Sequence, residues 1–272
     1  NRFHFFTEAM QNAARRQHEL AQDLRVALHE DQFQLYFQPI VDLRTGELFK
    51  AEALLRWQHP ARGMVSPVDF IPVAEEIGLI DEISDWVFNQ ALAQGSRWAK
   101  STGHAFRIGV NISPLQLRAK SSVWLNHVHE MKLTGKSVSI EITEGTVLND
   151  RPELVESLQA VHEAGMEVTI DNFGTGSSSL SHLQKFKIDY LKIDQSFTRE
   201  LAPDSPDLAL SSAIIAMAHK LGIKVIAEGI ETSSQRDLLA AAGCDFGQGY
   251  LFSRPVPMEE FEALLHNGLA AK

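Results

Sequence analysis

Short apolar runs recur along the chain at FRIGVNI (106–112), VSIEIT (138–143), MEVTID (166–171), DYLKID (189–194) and IKVIAE (223–228), with another near CDFGQGYL (244–251). Amphipathic stretches such as EISDWVFNQALAQGSRWAK (82–100) and RPELVESLQAVHEAG (151–165) lie between them. Strands that alternate with helices pair in parallel, because a parallel neighbour needs a long crossover. Ahead of this series, QLYFQPIVD and GELFKAEALLRW flank a turn at Arg44-Thr45-Gly46 and read as a β-hairpin. There are about eight strands, with no composition break and no internal repeat. Their simplest closure is an α/β fold, a TIM-like (β/α)8 barrel with one antiparallel strand from the opening hairpin. A chain of 272 residues suits one such barrel.

Before the barrel, Thr7 reads as an N-cap, and Met10, Ala13, Gln17, Leu20, Leu24 and Leu28 follow at helical spacing. The organisation expected is therefore a linker helix over 1–30 and a barrel over 31–272. The helix either caps the core or carries a signal from an upstream module. The chain begins without Met, which fits a piece of a longer protein.

Formal net charge is −10, so the basic face needed to grip DNA or RNA is not expected. An acidic chain still binds a phosphorylated ligand when metal ions stand between the charges. The single cysteine, Cys244, excludes a disulfide framework and favours a reducing, cytoplasmic compartment. The most apolar stretch, AIIAMA (213–218), meets His219 and Lys220 well short of a membrane span, so any anchor would come from segments outside this chain.

Each strand delivers a polar residue at or near its C-terminal end: Glu52, Asn111, Glu141, Asp171, Lys192, Glu228 and Gln248. In a barrel those ends surround one mouth, where active sites are built. Singly, Glu52 or Gln248 reads as a rim charge or a helix cap. Together, four carboxylates crowd one place and raise one another's pKa unless a cation neutralises them. With Asn111 they form an oxygen-rich set suited to Mg2+ or Mn2+ rather than zinc. Asp171 and a second oxygen ligand suit two metals clamping an in-line phosphoryl displacement. Lys192 then either holds the nucleophilic water or stabilises charge on phosphorus, and Glu228 ligates the second metal or accepts a proton. Arg56 suits a phosphate oxygen.

EALLRW (52–57), NISPLQL (111–117), EITE (141–144), DNFGTG (171–176), KID (192–194), AEGIET (227–232) and QGYLFSRP (248–255) together resemble the EAL-domain family. The resemblance implies hydrolysis of cyclic di-GMP to linear pGpG on a TIM-like barrel with one antiparallel strand. It implies a first metal on Glu52, Asn111, Glu141 and Asp171, and a second on Asp171, Asn172 and Glu228. It further implies Lys192 at the catalytic water, Glu144 supporting the site loop, and Gln38, Arg56, Glu231 and Gln248 along the dinucleotide pocket. Asp194 lies beside the site, either orienting Lys192 or sharing in proton transfer. The segment 5–28 resembles the helix that joins a GGDEF domain to an EAL domain, and homodimers are common in the family.

Two positions depart from the family pattern. Asn172 stands where a second Asp is usual, so its ligand is neutral and the second metal is weakened more than the first. Ser177 stands where Tyr is usual. A low-activity or inactive cyclic di-GMP receptor is the alternative to a working enzyme. A third class, a barrel using Lys192 as a Schiff base, is disfavoured because the surrounding acids keep that amine protonated. TGKS (134–137) lacks the P-loop glycine, since position 130 is Glu130. His127 and His129 point to different helix faces, and no HExxH occurs, so a zinc site is not expected.

Overall fold

The computed structural model describes residues 8–103, 105–113, 116–117, 123–126, 128, 135–148, 152–176, 183 and 185–269. Thr7, His127, His129, Glu130, Thr134 and Ser177, each weighed above, lie outside them. The chain divides into two compact units: Asn1–Leu35 with Leu55–Val87, and Tyr36–Leu54 with Phe88–Lys272.

The second unit is the barrel. Its strands are β1 (Phe33–Asp42), β2 (Leu48–His59), β4 (Ile108–Asn111), β5 (Val138–Thr143), β6 (Glu167–Phe173), β7 (Tyr190–Ile193), β8 (Lys224–Ala227) and β9 (Phe246–Gln248), the hairpin strands β1 and β2 continuing into the first unit. They pair in the order β1-β9-β8-β7-β6-β5-β4-β2, and a β1–β2 pairing closes the ring. From β2 through β9 every neighbour is parallel, whereas β1 runs antiparallel to β9 through Ile40↔Gln248 and Asp42↔Phe246. This is the TIM-like barrel with one antiparallel strand that the sequence predicts.

The hairpin turns where Asp42 Oδ1 accepts from the backbone of Arg44 and Thr45, an Asx turn, with Gly46 at φ 75°. Crossover helices start on the residues that favour starts. In α5 (Pro152–Glu163), Leu154, Leu158 and Val161 form the buried stripe. In α7 (Pro206–Lys220), Pro206 occupies the first turn and Ser205 Oγ accepts from the Leu208 N–H. In α8 (Ser233–Ala241), Thr232 and Gln235 form a capping box. Ile40, Tyr190, Ile226 and Phe246 pack together in the core, with Phe49 stacked on Phe246 at 4.0 Å between centroids. A terminal helix, α9 (Met258–Asn267), buries Phe261 against Trp98 and Phe37.

The first unit contains α1 (Glu8–Ala27), β3 (Gly63–Val65), which pairs with the end of β2, and α2 (Pro67–Glu76). Phe33, Trp57, Phe70 and Trp86 form its aromatic centre, and the Trp57 indole donates to Gln32 Oε1 at 2.9 Å. Arg62 pairs with Glu19 and Asp23 on α1 at the surface. The helix α3 (Ile80–Thr102) begins in this unit and ends in the second. No helix among the described residues is long and apolar enough to cross a membrane.

Candidate active site

Parallel strands in register deliver side chains to one mouth at matched heights. Asn111 lies beside Glu141 and Glu141 beside Thr169, so β4, β5 and β6 each present an inward group at the same level. Lys192 on β7 is 1% exposed and meets all four carboxylates. Its Nζ lies 2.6 Å from Glu228 Oε1, 2.9 Å from Glu141 Oε2, 3.0 Å from Glu52 Oε2 and 3.4 Å from Asp171 Oδ1. Glu52 sits inside β2 rather than at its end, because the strand runs on to His59.

One ammonium among four acids cannot satisfy them all, and their proton affinities split. Burial opposes the Lys192 charge, yet Glu141, Glu228, Glu52 and Asp171 hold the ammonium well above its usual range. Burial likewise opposes ionised Glu52, but Lys192 and hydrogen bonds from Gln248, Lys192 and Asn111 keep this carboxyl below its ordinary value. Glu141 and Glu228 receive less help. Burial pushes Glu141 up to about 7 against Lys192, and pushes Glu228 up to about 8, with Asp171 and Glu52 adding to each rise. Such a set titrates as a unit.

Hydrogen bonds fix the side chains at the mouth. Asn111 Nδ2 donates to Glu52 Oε1 at 2.7 Å, which leaves the Asn111 amide oxygen for a cation. Gln248 Nε2 donates to Glu52 Oε2 at 2.7 Å and to Gln38 Oε1 at 3.1 Å, and Gln38 in turn donates to the Ser253 carbonyl. The structure therefore makes Gln248 an orienter of Glu52. Gln38, Glu52, Leu54, Glu228, Glu231 and Gln248 are among the lining of a cleft of about 260 Å³.

Near the end of β6 the backbone turns sharply. Asn172 has φ 54°, a conformation that Asn tolerates better than most residues. Its Nδ2 donates to Asp171 Oδ2 at 2.9 Å. Glu144, first residue of α4 (Glu144–Leu148), is 4% exposed, and its Oε2 accepts from the Gly174 and Gly176 N–H groups at 2.9 and 3.1 Å. Asp194 is placed differently: its Oδ1 accepts from the Ser196 N–H at 2.9 Å, at the start of α6 (Ser196–Arg199), and no ion pair joins it to Lys192. Arg56 belongs to the first unit, where its guanidinium donates to the Leu55 carbonyl at 2.9 Å.

Among the described residues no group of three or more His, Cys, Asp or Glu is arranged as a metal cage; the acids close on Lys192. The donor chemistry nevertheless fits a hard divalent ion. Four carboxylates surround one ammonium, Asn111 is bonded to Glu52, and Glu141 Oε1 and Asp171 Oδ1 are buried without a hydrogen-bond partner among the described residues.

Residues 21–255 match the EAL domain family. The chain belongs to that family. Over 266 residues this EAL domain is 40% identical to the bifunctional diguanylate cyclase/cyclic di-GMP phosphodiesterase MucR of Pseudomonas aeruginosa, a match covering 97% of this chain and 39% of that protein. It is 38% identical to the cyclic di-GMP phosphodiesterase NbdA of the same organism, over 97% of this chain and 34% of that one. The chain thus spans roughly a third to two fifths of the length of these relatives. Among solved structures, the MucR phosphodiesterase in complex with c-di-GMP superposes with a TM-score of 0.84 at 39% identity, over 89% of this chain and 99% of that one. The EAL enzyme Bd1971, in its cAMP- and cyclic-di-GMP-bound form, gives 0.86 at 33% identity, over 93% and 70%.

Reading the sequence missed several parts of the EAL site. Gln195 and Tyr250 also line the cleft, Tyr250 being 47% exposed with Arg254 over its ring at 4.1 Å. The exposed aromatic in QGYLF was the signal. Gln235 ties the Glu228 loop down by accepting from the Glu231 and Thr232 N–H groups while donating to the Thr198 carbonyl, and Thr198 Oγ1 donates to the Glu228 carbonyl. The T-x-x-Q spacing at 232–235 carried that information. Lys50 is the least expected. Burial pushes its ammonium down to about 8, against the charges of Glu141 and Glu167.

Proposed function

We propose that this EAL domain hydrolyses cyclic di-GMP to linear pGpG. The reading is carried by the convergence of Glu52, Glu141, Asp171 and Glu228 on Lys192, with Asn111 on Glu52, at one barrel mouth. The names of the MucR and NbdA relatives support the same substrate. Glu52, Asn111, Glu141 and Asp171 would hold a first Mg2+ or Mn2+, and Asp171, Asn172 and Glu228 a second. When bound, such ions polarise a phosphoryl oxygen and acidify water.

The reaction adds water across one phosphodiester: a P–O bond forms, the P–O bond to the ribose oxygen breaks, and that oxygen takes a proton. Glu228, 2.6 Å from Lys192 Nζ, either ligates the second ion or accepts the proton of the attacking water. Lys192 is charged throughout, so it donates hydrogen bonds to the attacking water or to a phosphoryl oxygen and cannot serve as a base. Glu144 is assigned to holding the 174–176 turn. The cleft beside Glu52 receives the dinucleotide, with Gln38, Glu231 and Gln248 along it. Asp194 is kept as a neighbour that shapes the Lys192 strand end. Residues 1–30 are read as a linker helix to an upstream GGDEF domain, an arrangement suggested by the bifunctional MucR name, in a protein that works as a homodimer.

The test is direct: purified domain, cyclic di-GMP and Mg2+ or Mn2+, with product separated by chromatography. Appearance of pGpG is expected, and its absence at every metal concentration removes the enzyme reading. One observation favours a receptor instead. The Asn172 amide is neutral and turns its donor toward Asp171. Calorimetric binding of cyclic di-GMP with no hydrolysis would establish that second reading.

A further inference from the structure

Below the carboxylates the barrel interior holds a charge that the proposed hydrolysis does not use. Lys50 is 1% exposed and precedes Glu52 by two residues on β2, so both side chains project to the same face. Its Nζ stands 3.9 Å from the Tyr190 ring centroid and has no hydrogen-bond partner among the described residues. A ring face offsets part of an ammonium's lost hydration, but three N–H donors remain unmatched.

Neighbouring strands carry oxygens that are equally unmatched. The register sets Glu52 beside Gly109 and Gly109 beside Ser139, one inward level below Asn111 and Glu141. It also sets Glu141 beside Thr169, and Thr169 beside Tyr190. Ser139 Oγ, Thr169 Oγ1 and Glu141 Oε1 are all buried without a hydrogen-bond partner among the described residues. A donor-rich cation and three unsatisfied oxygens within one interior are the groups that ordered water bridges. Glu141 is also the carboxylate whose charge acts most strongly on Lys50.

We propose that Lys50 is a built-in counter-cation of the carboxylate cluster, joined to Glu141 through ordered water shared with Ser139 and Thr169, and that its charge weakens divalent-cation binding at the mouth. With every acid ionised, four carboxylates against Lys192 leave an excess of three negative charges. Lys50 lowers the excess to two, the charge of one divalent ion. The inference rests on Glu52, Asn111, Glu141 and Asp171 being cation ligands. It makes Lys50 a positioning residue that acts through Glu141, out of reach of substrate.

The experiment is Mn2+ calorimetry on the metal-stripped domain. Lys50→Met keeps the length of the side chain and a favourable contact with the Tyr190 ring while removing the charge. It should bind Mn2+ about tenfold more tightly than wild type, the size expected for one partly screened interior charge. Lys50→Arg keeps the charge and should stay within about twofold of wild type. A purely structural lysine predicts unchanged or weaker binding in Lys50→Met, and either result overturns the proposal, as does a wild type that binds no Mn2+. If Lys50→Met does not fold, a crystal structure of the wild type decides. Water bridging Lys50 Nζ to Glu141 supports the proposal, and an ammonium with no water against it overturns it. Hydrolysis of cyclic di-GMP is assayed separately. Tighter Mn2+ binding in Lys50→Met with no pGpG from either protein sustains Lys50's role and removes the phosphodiesterase reading.

Discussion

Asn172 and Asp171 are linked by a donated hydrogen bond, and that bond sets what a carboxylate at position 172 would do. In Asn172→Asp the donor is lost and two negative charges face each other, so the metal-free domain should lose about 1 kcal/mol of stability. The same charge should strengthen the second cation site, and activity at limiting Mn2+ should rise by about tenfold if one more close anionic ligand is gained. Denaturation in chelator and a metal titration of initial rates check both arms. Gly109 makes a second prediction. A Cβ built there would lie within the Glu141 carboxylate, so Gly109→Ala should move Glu141, cost about 1–3 kcal/mol and abolish most of the activity. The third concerns pH. Glu141 and Glu228 bind protons more tightly when folded than when unfolded, with folded values of about 7 and about 8 against an ordinary 4.5. Their stabilisation is complete below about pH 4.5 and is lost as pH rises through those values, so denaturation in chelator should show stability falling by a few kcal/mol from about pH 4.5 to 8.

At the scale of the element, the turn after β6 hangs from one carboxylate. Glu144→Ala removes the acceptor of the Gly174 and Gly176 N–H groups and should cost about 1.5–3 kcal/mol, the range for hydrogen bonds to a charged group. Hydrogen exchange should then quicken at those two amides while the β5 amides stay protected. The ordering of strands was legible because each apolar run ends where a polar residue reaches the mouth. Glu52 was harder to place. EALLRW continues as strand to His59, so nothing local marks the level at which the side chain turns inward. Lys50 was invisible for a related reason. Period-2 alternation says which residues share a face, and a lysine there reads as solvated until the ring closes over it. Asp194 stayed open between orienting Lys192 and sharing in proton transfer, because the sequence does not show that its Oδ1 accepts from the Ser196 N–H at the start of α6.

For the barrel unit as a whole, the decisive feature is a seam. Strand β1 meets β9 across Ile40↔Gln248 and Asp42↔Phe246, and Gln248 bridges that seam to Gln38 and Glu52. Gln248→Leu removes both hydrogen bonds but also a buried amide oxygen that has no hydrogen-bond partner among the described residues. Stability should therefore change by less than about 1 kcal/mol, while kcat should fall about tenfold because Glu52 loses its orientation. Denaturation curves and steady-state rates separate the two effects. The sequence announced the ring through its strand count and its antiparallel hairpin, but the division of the chain after Leu54 left no mark in composition. The bond from Gln248 to Glu52 spans 196 residues. A ribosome-held chain that stops before β9 already contains Glu52, Glu141, Asp171, Glu228 and Lys192, but it has no closed cylinder to set them against one another. On the proposed function, hydrolysis would begin only once β9 is in place, so the onset of pGpG release in a refolding sample would report closure of the barrel.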